Sequence, residues 1–134
     1  MNDEQREELL KRARTVREHA HAPYSKFKVG ATVLATSGKI YAGVNVENAS
    51  FPAGVCAECV AVAAAVTAGE QSLEAVCVVT DLPEPAAPCG VCRQVLAEFG
   101  PSMKVILASA SDDLETVDTT MEVLLPGHFN GDAL

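Results

Sequence analysis

The hydrophobic pattern changes period several times along the chain, and each change marks an element. The first twenty residues, MNDEQREELLKRARTVREHA, set Leu9, Leu10 and Val16 among alternating charges, the pattern of an amphipathic helix with one apolar stripe. Asn2 or Asp3 can cap its first free amides. The helix is expected to end before Pro23, because a residue preceding proline is pushed out of helical angles. HAPYSK then reads as a loop. KVGATVLAT and KIYAGVNV are rich in β-branched residues and are joined through Ser37, Gly38 and Lys39. This predicts an antiparallel hairpin with Gly38 at positive φ.

Beyond VENASFPAG the alternation disappears. CAECVAVAAAVTA is apolar or small on nearly every face, so we expect a helix enclosed by other elements and stopped at Gly69. SLEAVCVVTD and MKVILAS are continuous apolar runs, as in strands covered on both faces of a sheet. Between them the proline-rich DLPEPAAP leads into CGVCRQVLAEF, a second helix ending at Gly100. LETVDTTMEVLL offers a weaker last strand and a short helix before PGHF. The order predicts one α/β domain over residues 1–134, a three-layer α/β/α sandwich with a mixed sheet of about five strands.

A chain of 134 residues buries roughly two thirds of its unfolded surface without help, so a bound metal would not be needed for folding. The amphipathic start lacks the apolar centre of a secretory signal, and no run approaches the roughly 18 apolar residues of a membrane span. A soluble cytoplasmic protein with no membrane partner is expected. The formal net charge is −8, from 18 acidic residues against 10 Lys and Arg, with no basic stripe. Such a surface repels phosphate polymers and argues against a nucleic-acid partner.

The five cysteines are expected to be reduced thiols in an unsignalled chain. Cys77, inside AVCVV, reads as a small core residue. GVCAECV and APCGVC each set two cysteines three positions apart, a common way of offering thiolates to zinc. Cys56 and Cys89 fall at the starts of the second and third predicted helices, where free amides and the macrodipole favour a thiolate. Two C-x-x-C pairs separated by 29 residues could close a structural four-sulfur site. They could equally supply three sulfurs and leave one position for water. Glu58 bears on the choice: a carboxylate on a helix of Ala, Val and Cys is costly without a task, and beside activated water it could move a proton. It could also serve only as a partner for the helix dipole.

In order, APYSKFKVGA (22–31), GVNVENASF (43–51), CAE (56–58), PCGVCRQVL (88–96) and LLPGHF (124–129) resemble the small zinc-dependent cytidine deaminases over nearly the whole chain. The resemblance implies that Cys56, Cys89 and Cys92 ligate Zn2+ and that Glu58 shuttles a proton while water attacks C4 of the cytosine ring. It implies that Phe27 stacks on that ring, that Asn45 and Glu47 bind ribose hydroxyls, and that the Ala57 backbone contacts the base. It also implies a homotetramer in which Phe51 and Phe129 close the site of a neighbouring subunit. Read singly, the phenylalanines pass as core aromatics, Asn45 as a turn residue and Glu47 as a solvated charge. A free nucleoside, cytidine or deoxycytidine for pyrimidine salvage, needs hydroxyl ligands and no phosphate cradle, which agrees with Asn-Val-Glu at 45–47 and the acidic balance.

Two features depart from the family pattern. Cys59 stands where many members carry Arg beside the thiolates, and Arg93 is a candidate replacement for that charge. FPAG at 51–54 replaces a more familiar Tyr-Gly, which leaves open a modified cytosine nucleoside or a blasticidin-like aminopyrimidine as substrate. The remaining rivals are a deaminase of another amino-heterocycle and a non-catalytic zinc domain that binds a partner protein.

Overall fold

The computed structural model describes residues 1–134, the side chain of Ala133 excepted. Its elements are α1 (Asp3–Arg17), β1 (Gly30–Ala35), β2 (Ile40–Val44), α2 (Ala57–Thr67), β3 (Leu73–Thr80), α3 (Gly90–Ala97), β4 (Lys104–Ser109), β5 (Val117–Thr120) and α4 (Met121–Leu124). The sheet runs β2-β1-β3-β4-β5. β3 and β4 are parallel and every other pair is antiparallel, so the sheet is mixed and has five strands. α1 covers one face and α2 the other, with α3 beside α2.

α1 begins as its sequence directs. The Asn2 side chain accepts from the Gln5 amide at 2.7 Å, and the Gln5 side chain accepts from the Asn2 amide at 2.9 Å, a reciprocal cap that satisfies two free donors. The helix ends at Arg17, well before Pro23. The following segment pairs with the chain beyond β2 instead: the His21 amide donates to the Asn45 carbonyl at 3.0 Å, and the Glu47 amide donates to the His21 carbonyl at 2.8 Å. This pairing brings HAPYSK over Glu47. The hairpin turns through Gly38 at φ 91°, as expected.

Each face of the sheet has its own core. On one, Leu9, Leu10 and Ala13 of α1 pack on Leu34, Ala75, Cys77, Val79 and Ile106. On the other, Ala57, Ala61, Val62 and Ala65 of α2 and Leu96 of α3 pack on Val33, Val76, Val78 and Val105. Alternate residues of β3 serve the two cores, which is why its sequence is apolar throughout. Each buried Leu or Val contributes roughly 1.5–3 kcal/mol. Cys77 is one of these core residues, and burial pushes its thiol up to about 12.

Two glycines let the helices approach. A Cβ at Gly30 would stand 2.2 Å from the Ala13 carbonyl oxygen, and one at Gly43 would stand 2.4 Å from the Ala61 amide nitrogen. Gly30 seats α1 and Gly43 seats α2, each through direct backbone contact.

The expected enclosure of α2 is not what the chain builds. Ala57, Glu58, Ala61, Val62 and Ala65 are buried, but Ala63 is exposed and Val66 is 49% exposed. The fold has only one layer on this side, so the outer stripe of the helix has no cover within the chain. Among the described residues, no helix is long and apolar enough to cross a membrane.

Candidate active site

Cys56 is the N-cap of α2 and Cys89 the N-cap of α3, and Cys92 lies one turn into α3. α2 and α3 are neighbours on one face of the sheet, so two sequence-distant helix starts meet. The sulfurs of Cys56, Cys89 and Cys92 all lie within 4.8 Å of one another, and those of Cys56 and Cys89 are 3.9 Å apart. Tetrahedral zinc with Zn–S bonds of about 2.3 Å requires sulfurs about 3.8 Å apart, so the spacing suits that ion. Cys59 Sγ comes within 3.6 Å of Cys92 Sγ but does not join the group of three. The geometry supports three sulfur donors and an open vertex over a closed four-sulfur clasp.

Burial and mutual proximity disfavour the thiolate at two of the three cysteines. Burial pushes the Cys56 thiol up to about 11, with Cys89 and Glu58 adding to the rise against a hydrogen bond from Cys92. Cys92 is pushed up by burial first, then by Glu58, Cys56 and Cys59. Burial also acts to raise Cys89, but hydrogen bonds from the Cys92 and Val91 amides and from the Cys92 and Cys56 thiols outweigh it and hold the thiol below its ordinary value. A divalent ion would relieve this crowding and displace the thiol protons.

Glu58 is 5% exposed on the wall of the cavity that Cys56 and Cys89 also line. Burial raises its affinity for a proton, while its own amide and the Cys92 thiol oppose the rise. A carboxyl group displaced toward the neutral range and facing a cavity is suited to proton transfer.

The cavity is about 680 Å³, within the range of small-molecule sites. Phe27, Asn45, Glu47 and Ala57 line it, and Phe51 stands at its edge, 75% exposed and edge-on to Tyr24 at 6.0 Å between ring centroids. Asn45 is fixed by the backbone: its Oδ1 accepts from the Val29 amide at 2.8 Å and its Nδ2 donates to the Phe27 carbonyl at 2.7 Å. One acceptor lone pair and one N–H remain for a ligand. Glu47 is held below the ordinary carboxylate range, chiefly by the Ser25 hydroxyl and amide and also by the Tyr24 amide. Phe129 is 61% exposed and lies outside the cavity of its own chain, its carbonyl accepting from Gln94 Nε2 at 3.0 Å.

Arg93, the candidate for the charge missing at Cys59, is held in place by two backbone carbonyls. Its Nε donates to the Pro88 carbonyl and its Nη1 to the Leu124 carbonyl, both at 2.8 Å. The guanidinium thus ties the strap before Cys89 to the end of α4. Gln94 and Ser25 are structural supports of this site that sequence reading passed over. The Gln94 bond and the Arg93 bond to Leu124 reach across more than thirty positions and leave no local pattern; only the serine two residues before Phe27 carries a local turn signal.

Residues 3–109 match the family model described as the cytidine and deoxycytidylate deaminase zinc-binding region. The chain belongs to this zinc-binding deaminase family. It is 46% identical to the cytidine deaminase of Sporosarcina psychrophila, over 96% of this chain and 93% of that protein. It is 41% identical to the cytidine deaminase of Halalkalibacterium halodurans, over 95% of this chain and 96% of that protein. Among solved structures, the cytidine deaminase of Burkholderia pseudomallei superposes with a TM-score of 0.87 at 40% identity, covering 96% of this chain and all of that one. Zinc is the metal of the family's matched region, and the three-sulfur cluster is where this deaminase-family chain can hold it.

Proposed function

We propose that this chain is a zinc-dependent hydrolase that deaminates cytidine and deoxycytidine to the corresponding uracil nucleosides and ammonia. One observation carries the reading: Cys56 and Cys89 of the three-sulfur cluster and the buried carboxyl of Glu58 line the same cavity as Phe27, Asn45 and Glu47. Cys56, Cys89 and Cys92 would hold the metal. Bound zinc supplies a Lewis acid that lets water ionise near neutral pH. Glu58 would take one proton of the attacking water and deliver it to ring N3, then take the remaining hydroxyl proton and deliver it to the amino group, which leaves C4 as ammonia as the C4 carbonyl forms. Phe27 stacks on the ring, the Ala57 backbone contacts the base, and Asn45 and Glu47 take sugar hydroxyls.

The acidic balance of the chain favours an uncharged nucleoside over a phosphorylated substrate, and a cytoplasmic role in pyrimidine salvage fits such a substrate. The uncovered stripe of α2 and the exposed rings of Phe51 and Phe129 support a homotetramer in which these aromatics reach a neighbouring site.

The test is ammonia release from a panel of nucleosides and free bases by zinc-loaded protein. Cytidine and deoxycytidine should turn over, and Glu58→Gln should lose about 10²–10⁴ in kcat with zinc content unchanged. A loaded wild-type protein that leaves cytidine intact would remove the proposal.

A further inference from the structure

We infer that the Ser25 hydroxyl is the positioning group that sets the sugar-binding carboxylate and the ring-stacking phenylalanine in register, an inference that rests on the proposed roles of Glu47 and Phe27. Ser25 lines the cavity. Its Oγ donates to Glu47 Oε2 and accepts from the Phe27 amide at 3.0 Å. Its own amide donates to Glu47 Oε1 at 3.1 Å, beside the Tyr24 amide at 3.0 Å. One side chain therefore bonds to both groups that flank the ligand space, although they lie twenty positions apart in the sequence.

The count of lone pairs gives this arrangement a function. Two amides occupy Oε1 of Glu47, and the Ser25 hydroxyl occupies one side of Oε2. A single acceptor position then remains on the carboxylate, pointing where the Ser25 bond leaves room. The backbone is shaped to make the second bond. Lys26 adopts φ 62°, a left-handed conformation unusual for lysine, and this turns the Phe27 amide back onto Ser25 Oγ. With the hydroxyl removed, Glu47 keeps its amide partners but gains freedom at Oε2, and the strained turn before Phe27 loses its closing bond. Both changes loosen the nucleoside's grip without touching the sulfurs or Glu58.

The experiment compares steady-state deamination of cytidine by the zinc-loaded wild type, Ser25→Ala, Ser25→Thr, Glu47→Ala and the Ser25→Ala/Glu47→Ala double variant. Ser25→Ala should raise KM about tenfold while kcat stays within about threefold, the split expected when ground-state and transition-state binding are lost together. Ser25→Thr, which keeps the hydroxyl, should restore KM to within about threefold of wild type. Without Glu47 the serine has less to hold, so Ser25→Ala should then cost no more than about threefold. Melting temperature and zinc content should remain those of the wild type. An unchanged KM in Ser25→Ala beside a raised KM in Glu47→Ala would overturn the inference and leave the assignment of Glu47 standing. An unchanged KM in Glu47→Ala would overturn that assignment and the inference with it. A fall in kcat and melting temperature at constant KM would reduce Ser25 to a structural residue.

Discussion

The two faces of the sheet are built with the same device and finished differently. Each receives a helix through a glycine that lets backbone meet backbone, Gly30 under α1 and Gly43 under α2. α1 then turns Glu4, Glu7, Lys11 and Arg12 to solvent, and its face is complete within the chain. α2 turns Ala63 and Val66 outward, buries a carboxyl at its start and presents two sulfur-bearing positions to a neighbouring helix. The α1 face obeys every rule of a stable amphipathic layer. The α2 face breaks several, and the departures at the start of the helix gather around one cavity, where a buried acid and closely set thiols are useful.

The sharpest test of this contrast is removal of a sulfur. Cys89→Ala should leave a folded chain, because both cores lie elsewhere, while zinc content falls to about zero and activity drops about a thousandfold or more. Elemental analysis beside circular dichroism checks it; unfolding on metal loss would make the α2 face as structural as the α1 face.

The paired glycines come next. Gly43→Ala and Gly30→Ala should each cost about 1–3 kcal/mol, since a methyl group meets backbone in both. Only Gly43→Ala moves the helix that carries Cys56 and Glu58, so only it should lower kcat per folded molecule, by about tenfold or more. Denaturation and active-site titration separate the effects, and equal losses of kcat would break the comparison.

A charge on the outer stripe has a smaller expected effect on chemistry and a clear one on assembly. If the proposed homotetramer forms, Val66→Asp should shift the sedimenting species toward monomer and lower kcat/KM about tenfold. A monomeric wild type would show that solvent alone faces α2. The smallest effect is expected from Cys59→Ser: zinc stoichiometry unchanged and kcat/KM within about threefold, because this sulfur stands outside the group of three. Loss of the metal from this variant would instead place a fourth sulfur on it.

Much of this was legible in the sequence because it depends on local periods and caps. Asn2, one of two candidate caps, announces the start of α1, Gly38 the hairpin, and the apolar runs of β3 and β4 their place inside the sheet. The pairing of GVCAECV with PCGVC was legible too, since two helix starts rich in thiols have few other uses. That α1 ends before Pro23 was legible as well; that it stops as early as Arg17 was not, because His21 pairs with a strand extension more than twenty positions away. Nor was the exposure of α2: an apolar helix reads as buried whether its own chain or another copy covers it.

By itself, then, the order of residues determined the elements, the layers and the donor atoms available for metal, all of which follow from spacing along one chain. Which three of the four paired sulfurs lie together was left open by their spacing alone and is decided by how α2 and α3 come side by side in space. The same holds for Ser25 and Glu47, and for the bond of Arg93 to the Leu124 carbonyl. Hydrogen bonds between distant segments depend on distance in space, which no local pattern encodes.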